Sequence, residues 1–199
     1  MKIVVLIENT APEGSCLAAE HGLSFYVEHR GKAVLLDAGA SGGFADNAAA
    51  LGVDLGHVDV AVLSHGHYDH AGGLGRFFAC NDHAKVYARP SAGGAYFSTS
   101  LGEPRFIGVS RDVWEGQRER FETPEGLFQL FDGAWLVPET VHGGPFASRE
   151  TNLLRQEAAG GFVPDDFSHE HSLVLEGRPG AWCCSTPAPT GGSVNIVRG

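Results

Sequence analysis

The sequence predicts a layered α/β domain. Strand-like segments crowd its first third, and an alanine-rich segment closed by a glycine follows them. A β-branched apolar run comes next, so strands alternate with helix as they do in packed α/β layers. At 199 residues the chain can bury one sizeable core and is too short for two, so a single domain over residues 1–199 is expected.

Lys2 to Ile7 reads as the first strand. Leu23 to Val27 and Ala33 to Leu36 read as a hairpin that turns at Arg30-Gly31. Phe44 to Leu51, stopped by Gly52, has the composition and C-terminal glycine of a helix. Val58 to Leu63 is apolar on both alternating faces, as a fully buried strand must be. Lys85 to Ala88 is a further short strand, after which Arg89 to Gly144 is rich in Gly and Pro and only weakly periodic. That stretch reads as irregular with short strands, and His142 within it reads as a loop histidine. Phe128 to Leu130, Trp135 to Val137 and Ser172 to Leu175 read as strands, the last preceded by a turn at Pro164-Asp165-Asp166. There is no internal repeat or low-complexity tract.

Composition narrows the function. Hydrophobic residues at 43% and charged residues at 19% exclude a disordered or membrane-spanning chain. The apolar run Ile3 to Ile7 is too short to span a bilayer and lacks the features of a secretory signal, so a cytoplasmic location is expected. Cys16, Cys80, Cys183 and Cys184 fit neither a zinc ribbon nor a disulfide framework and read as reduced thiols. A net charge of −10 argues against a nucleic-acid partner, which binds through a basic footprint.

The chemistry concentrates directly after the buried strand, in Ser64-His65-Gly66-His67-Tyr68-Asp69-His70-Ala71-Gly72-Gly73. Three imidazoles and a carboxylate within six residues have the density of a metal site. In extended chain, residues two apart point the same way, so His65 and His67 are expected to share one ion while Asp69 and His70 face a second. Gly66, Gly72 and Gly73 are read as the residues that let the backbone turn tightly. Two divalent ions roughly 3.5–4 Å apart would lower the pKa of a shared water to near 7 and polarise a carbonyl or phosphoryl oxygen. Zinc is the first expectation, with iron or manganese also compatible with mixed imidazole and carboxylate ligands. Asp69 is additionally the candidate catalytic residue, orienting the water.

This His-x-His-x-Asp-His run after a strand resembles the signature of the metallo-β-lactamase superfamily. Leu35-Leu36-Asp37-Ala38-Gly39 resembles that family's first motif, which implies that Asp37 supports the metal loop from behind. Glu20-His21-Gly22-Leu23-Ser24, Asn47-Ala48 and Ser64 through Leu74 further resemble the 7,8-dihydropterin-6-methyl-4-(β-D-ribofuranosyl)aminobenzene-5′-phosphate synthase branch. So does Asp165-Asp166-Phe167-Ser168-His169-Glu170. The resemblance implies an αββα sandwich and a metal-dependent hydrolase acting on a small ester, lactone or phosphoester. His21 and His169 join Asp37 as supporting or substrate-binding candidates. A surface turn residue for His21 and a strand cap for His169 are the plainer alternatives.

The resemblance also predicts a further histidine in a Cys-Ser-His segment ahead of Val194-Asn195-Ile196. The chain instead has Ala181-Trp182-Cys183-Cys184-Ser185-Thr186-Pro187-Ala188-Pro189-Thr190, where two prolines make a poor central strand. Codons permitted for these ten residues, read in a shifted frame, spell Leu-Val-Leu-Phe-Asn-Ser-Cys-Ser-His, so a local frameshift is one explanation. Relative to the family the fold is expected to be C-terminally incomplete, with a sheet edge that a second copy could cover. The alternative reading is a degenerate binding protein of the same fold with weak or no catalysis.

Overall fold

The computed structural model describes residues 1–138 and 152–177, together with the backbone of 182–185. In chain order the elements are β1 (Lys2–Ile7), β2 (Ser24–His29), β3 (Lys32–Leu36), α1 (Gly43–Ala50), β4 (Val60–Val62), α2 (Tyr68–Ala71), α3 (Leu74–Cys80) and β5 (Lys85–Tyr87). They continue with β6 (Tyr96–Ser98), β7 (Arg105–Phe106), α4 (Arg111–Trp114), β8 (Phe121–Glu122), β9 (Phe128–Phe131), β10 (Ala134–Pro138), β11 (Leu153–Gln156), β12 (Phe162–Pro164), β13 (His171–Glu176) and β14 (Trp182–Ser185). The chain folds as two compact units. One comprises Met1–Leu63, His67–Tyr87 and Ser110–Glu122, and the other Ser64–Gly66, Ala88–Val109 and Thr123–Gly199.

The first unit is built on a six-stranded sheet of order β1-β2-β3-β4-β5-β8. Its first three strands are antiparallel neighbours and the rest run parallel from β3 onward. Arg30 and Gly31 both have positive φ, 47° and 76°, the combination a two-residue hairpin needs to match strand twist, and His29 pairs with Lys32 across it. Every residue of β4 is buried, which is why its sequence shows no alternation. α1 turns Phe44, Ala45, Asn47 and Ala48 inward. Asn47 then stitches the unit together, donating to the carbonyls of Leu6 (2.7 Å) and Ala18 (2.9 Å) and accepting from the Ala18 N–H (2.8 Å). The helices α2 and α3, not anticipated from the sequence, follow β4. Leu74 and Phe77, one helical turn apart, form the buried face of α3.

The second unit holds two antiparallel four-stranded sheets, of orders β14-β13-β10-β9 and β12-β11-β6-β7. Leu136 faces Leu173 across the β10–β13 ladder, and both are fully buried. The strands expected at Phe128 to Leu130, Trp135 to Val137 and Ser172 to Leu175 are β9, β10 and β13, and the stretch from Arg89 to Pro138 is irregular with short strands, as its composition implied. Trp182–Ser185 pairs with β13 as an edge strand, so the departure from the family pattern begins in regular backbone. Pro187, Pro189, His142 and Val194-Asn195-Ile196 lie outside the described residues. Among the described residues no helix is long and apolar enough to cross a membrane.

Candidate metal centre

The histidine loop leaves the C-terminal end of β4, where parallel strands commonly present functional groups. Its glycines serve a different purpose from the one expected. None of Gly66, Gly72 and Gly73 has positive φ; each lies where another strand of backbone comes close. A Cβ on Gly66 would sit 2.2 Å from the Ala92 carbonyl oxygen, and Cβ atoms on Gly72 and Gly73 would sit 2.2 and 2.1 Å from the carbonyl oxygens of Ala40 and Ala38. The glycines permit close packing of backbone, not tight turning.

Asp37, at the end of β3, is buried and holds a left-handed backbone with φ 59°. Its N–H donates to the Val62 carbonyl at 2.9 Å and its own carbonyl accepts from the Ser24 hydroxyl at 2.7 Å, so the unusual conformation is fixed from both sides. The carboxylate Oδ2 lies 2.7 Å from His70 Nδ1, and the His70 carbonyl accepts from the Ala38 N–H at 2.7 Å. Asp37 thus takes His70 Nδ1–H and presents Nε2, 3.6 Å from Asp69 Oδ2. Burial disfavours the charged form of His70, but the carboxylates of Asp37 and Asp69 outweigh it and raise the His70 pKa above its ordinary value. The backbone beyond Asp37 is held by Glu20, whose carboxylate accepts from the N–H groups of Ala40 (2.9 Å) and Ser41 (3.1 Å) and from the Ser41 hydroxyl. Glu20 belongs to the Glu20-His21-Gly22-Leu23-Ser24 motif, whose sequence does not reveal this task.

His65 is buried, with the Ser64 hydroxyl 3.0 Å from its Nδ1. Within the single stretch 65–70, donor atoms of His65, Asp69 and His70 all lie within 4.8 Å of one another, the spacing an ion requires. This grouping differs from the one expected from strand alternation. His67 is extended (φ −99°, ψ 152°), but helix α2 begins at Tyr68, so alternation ends there and Asp69 and His70 are carried round by the helical turn. His67 is buried and stands outside that trio. His21 lies at the rim: its side chain is 71% exposed, with Nε2 3.6 Å from Asp69 Oδ2. Asp69, 19% exposed, is more open to water than His70 beside it.

In the second unit His169 is completely buried. Its Nδ1 accepts from the Gly66 N–H at 3.0 Å, and its Nε2 lies 3.1 Å from Oδ2 of Asp165. Asp165 is buried too, and its other oxygen accepts from the Phe167 N–H at 2.9 Å. The sequence reading treated Asp165 as a turn residue. The i, i+4 spacing of Asp165 and His169 was the one available signal that they could meet.

The αβ architecture and a histidine-aspartate cluster at the end of a parallel strand define a metallohydrolase-type fold, and comparison with known proteins agrees. The profile of the metallo-β-lactamase superfamily matches residues 18–196, and the chain belongs to that superfamily. It is 34% identical to an uncharacterised protein of Methanocaldococcus jannaschii over 98% of this chain and 72% of that one. It is 32% identical to the 7,8-dihydropterin-6-methyl-4-(β-D-ribofuranosyl)-aminobenzene-5′-phosphate synthase of the same organism, covering 100% of this chain and 71% of the synthase. Among solved structures, a metal-dependent hydrolase of the β-lactamase superfamily superposes with a TM-score of 0.79 at 26% identity, over 98% of this chain and 69% of that one. A quorum-quenching N-acyl homoserine lactone lactonase shares the fold at 14% identity, with a TM-score of 0.51 over 81% of this chain and 58% of that one.

Proposed function

We propose that this protein is a metal-dependent hydrolase whose divalent ions, zinc in the first instance, are held by His65, His67, Asp69 and His70. The observation that carries the reading is the buried Asp37–His70 pair at 2.7 Å directly behind a trio of donors within 4.8 Å of one another. The donor set fits such an ion: two imidazoles and one carboxylate are ordinary zinc ligands, and a carboxylate behind a ligating histidine is their usual support. A divalent ion bound there supplies Lewis acidity and lowers the pKa of water toward neutrality.

The remaining work falls to the chain itself. Asp37 keeps the proton on His70 Nδ1 and so fixes which nitrogen is offered. Asp69 Oδ2, on a side chain only partly exposed at the rim, orients water and takes up its proton. His21, exposed and 3.6 Å from that oxygen, is placed to pass the proton to solvent or to meet a polar substrate group. A small ester, lactone or phosphoester suits this chemistry. The named synthase relative adds a phosphate ester of a reduced pterin derivative to the compounds worth testing.

A second reading, a binding protein of this fold with little catalysis, is favoured by one feature: residues 181–190 contain no histidine where the family resemblance expects one. Purified protein should carry about two equivalents of zinc, manganese or iron. It should hydrolyse at least one member of an ester, lactone and phosphoester panel, and D69N should abolish that turnover while keeping part of the metal. Absence of metal together with absence of turnover refutes the hydrolase. Bound metal with no turnover on the panel favours the binding protein.

A further inference from the structure

His169 touches Gly66 of the histidine loop, a residue of its own unit, and the hydrogen bonds at its two nitrogens fix its tautomer. The Gly66 N–H can donate only to an unprotonated nitrogen, so Nδ1 carries a lone pair. Nε2 must then carry the proton, because a ring with neither nitrogen protonated would be an imidazolate. That proton points at Asp165 Oδ2, 3.1 Å away, whatever the charge on the carboxyl group. The ring is therefore the neutral Nε2–H tautomer, engaged at both nitrogens.

Its surroundings hold it in that orientation. The Tyr96 ring packs at 4.1 Å between centroids, and the Tyr96 hydroxyl donates to the Ser91 carbonyl at 2.7 Å. Burial first, then the nearby carboxylates of Asp165 and Asp166, raise the Tyr96 pKa far above its ordinary value, so it remains a donor at all accessible pH. On the other side the His65 ring stacks against His169 at 5.8 Å with an interplanar angle of 29°. The nitrogen of Gly66 belongs to the peptide that joins it to His65, and Gly66 is also pressed against the backbone of Ala92. Two contacts thus immobilise this peptide, a hydrogen bond to His169 and backbone against backbone.

We infer that His169 is a positioning residue: held by Asp165 at Nε2, it accepts from the Gly66 N–H at Nδ1, clamps the His65–Gly66 peptide and so sets the direction of the His65 ring. The role rests on the metal reading above. It assigns Asp165 a task as well, that of choosing the tautomer.

The test uses the full chain labelled with nitrogen-15 in its histidines. Two-bond proton–nitrogen correlation spectra, with His169 assigned from H169N, report the protonation of each ring nitrogen before and after zinc addition. The inference expects Nδ1 unprotonated and Nε2 protonated in both states. Loss of the Nε2 proton on adding zinc, or an Nδ1–H tautomer without it, overturns the inference. Zinc affinity, measured by chelator competition, should fall about 10–100-fold in H169A. It should recover in H169N, whose amide oxygen replaces Nδ1 as the acceptor for Gly66. Equal loss in H169N and H169A counts against positioning through Gly66. The spectra need no destabilised variant if H169A fails to fold. Wild-type protein that takes up no zinc overturns the metal reading instead, whereas zinc uptake with the wrong tautomer overturns only this inference.

Discussion

Replacing Asp37 separates its backbone role from its charge. The residue sits at φ 59° with a carboxylate 2.7 Å from His70 Nδ1, and both side chains are buried. Asn tolerates the left-handed region as well as Asp does and keeps an oxygen for Nδ1–H, so D37N loses only the charge on the acceptor. A charged hydrogen bond contributes about 1.5–3 kcal/mol and a neutral one about 0.5–1.5, so D37N should cost roughly 1–1.5 kcal/mol in metal-free protein. D37A loses the bond entirely and adds the left-handed penalty of about 1–2 kcal/mol, for a total near 2.5–5 kcal/mol. Against an ordinary domain stability of about 5–15 kcal/mol, D37A is close to unfolding. Urea titrations in the presence of chelator measure both values. Zinc competition should show a loss of about 10–100-fold for D37N, because a neutral acceptor leaves His70 less basic. Equal stability of D37N and D37A would refute the backbone argument, and unchanged zinc affinity in D37N would refute the support role.

G66A should destabilise the protein by about 3 kcal/mol in a urea titration, since its Cβ would meet the Ala92 carbonyl oxygen at 2.2 Å and backbone must move to admit it. A loss below about 1 kcal/mol would show that the loop can step aside. Asp59 offers a pH test. The Ala33 N–H at 2.8 Å and the Lys32 ammonium at 3.0 Å stabilise its carboxylate and lower its pKa. A folded pKa below the unfolded value, about 3.9, gives stability that is present above that pH and lost as pH falls through the folded pKa. The stability gap between wild type and D59N should therefore be widest near neutrality and close at low pH; a gap independent of pH would sink the assignment.

Much of the first unit was legible because burial writes itself into the sequence. β4 is buried on both faces and reads as unbroken apolar residues, while the Arg30-Gly31 turn and the glycine after α1 are local signals. α2 and α3 were not read because four- and seven-residue helices offer too few turns for periodicity, and glycines separate them. The histidine cluster was legible from density alone. Which residues share an ion was not, since that depends on the helix starting at Tyr68. His169 and Asp165 stood out only as a motif; their meeting with Gly66 spans about a hundred residues of chain, a distance over which spacing carries no information.

The sheet of the first unit has its first five strands in chain order, β1-β2-β3-β4-β5, and among the described residues only β8 joins from later sequence. A chain made from its N-terminus can lay each of these strands beside the one just placed, with no gap left for a strand not yet synthesised. Asp37 and the histidine loop both sit within this early stretch, so their pairing can form while the rest of the polypeptide is still being made. The second unit lacks that convenience: β13 must find β10 across the intervening strands β11 and β12, and slow steps in refolding are expected there.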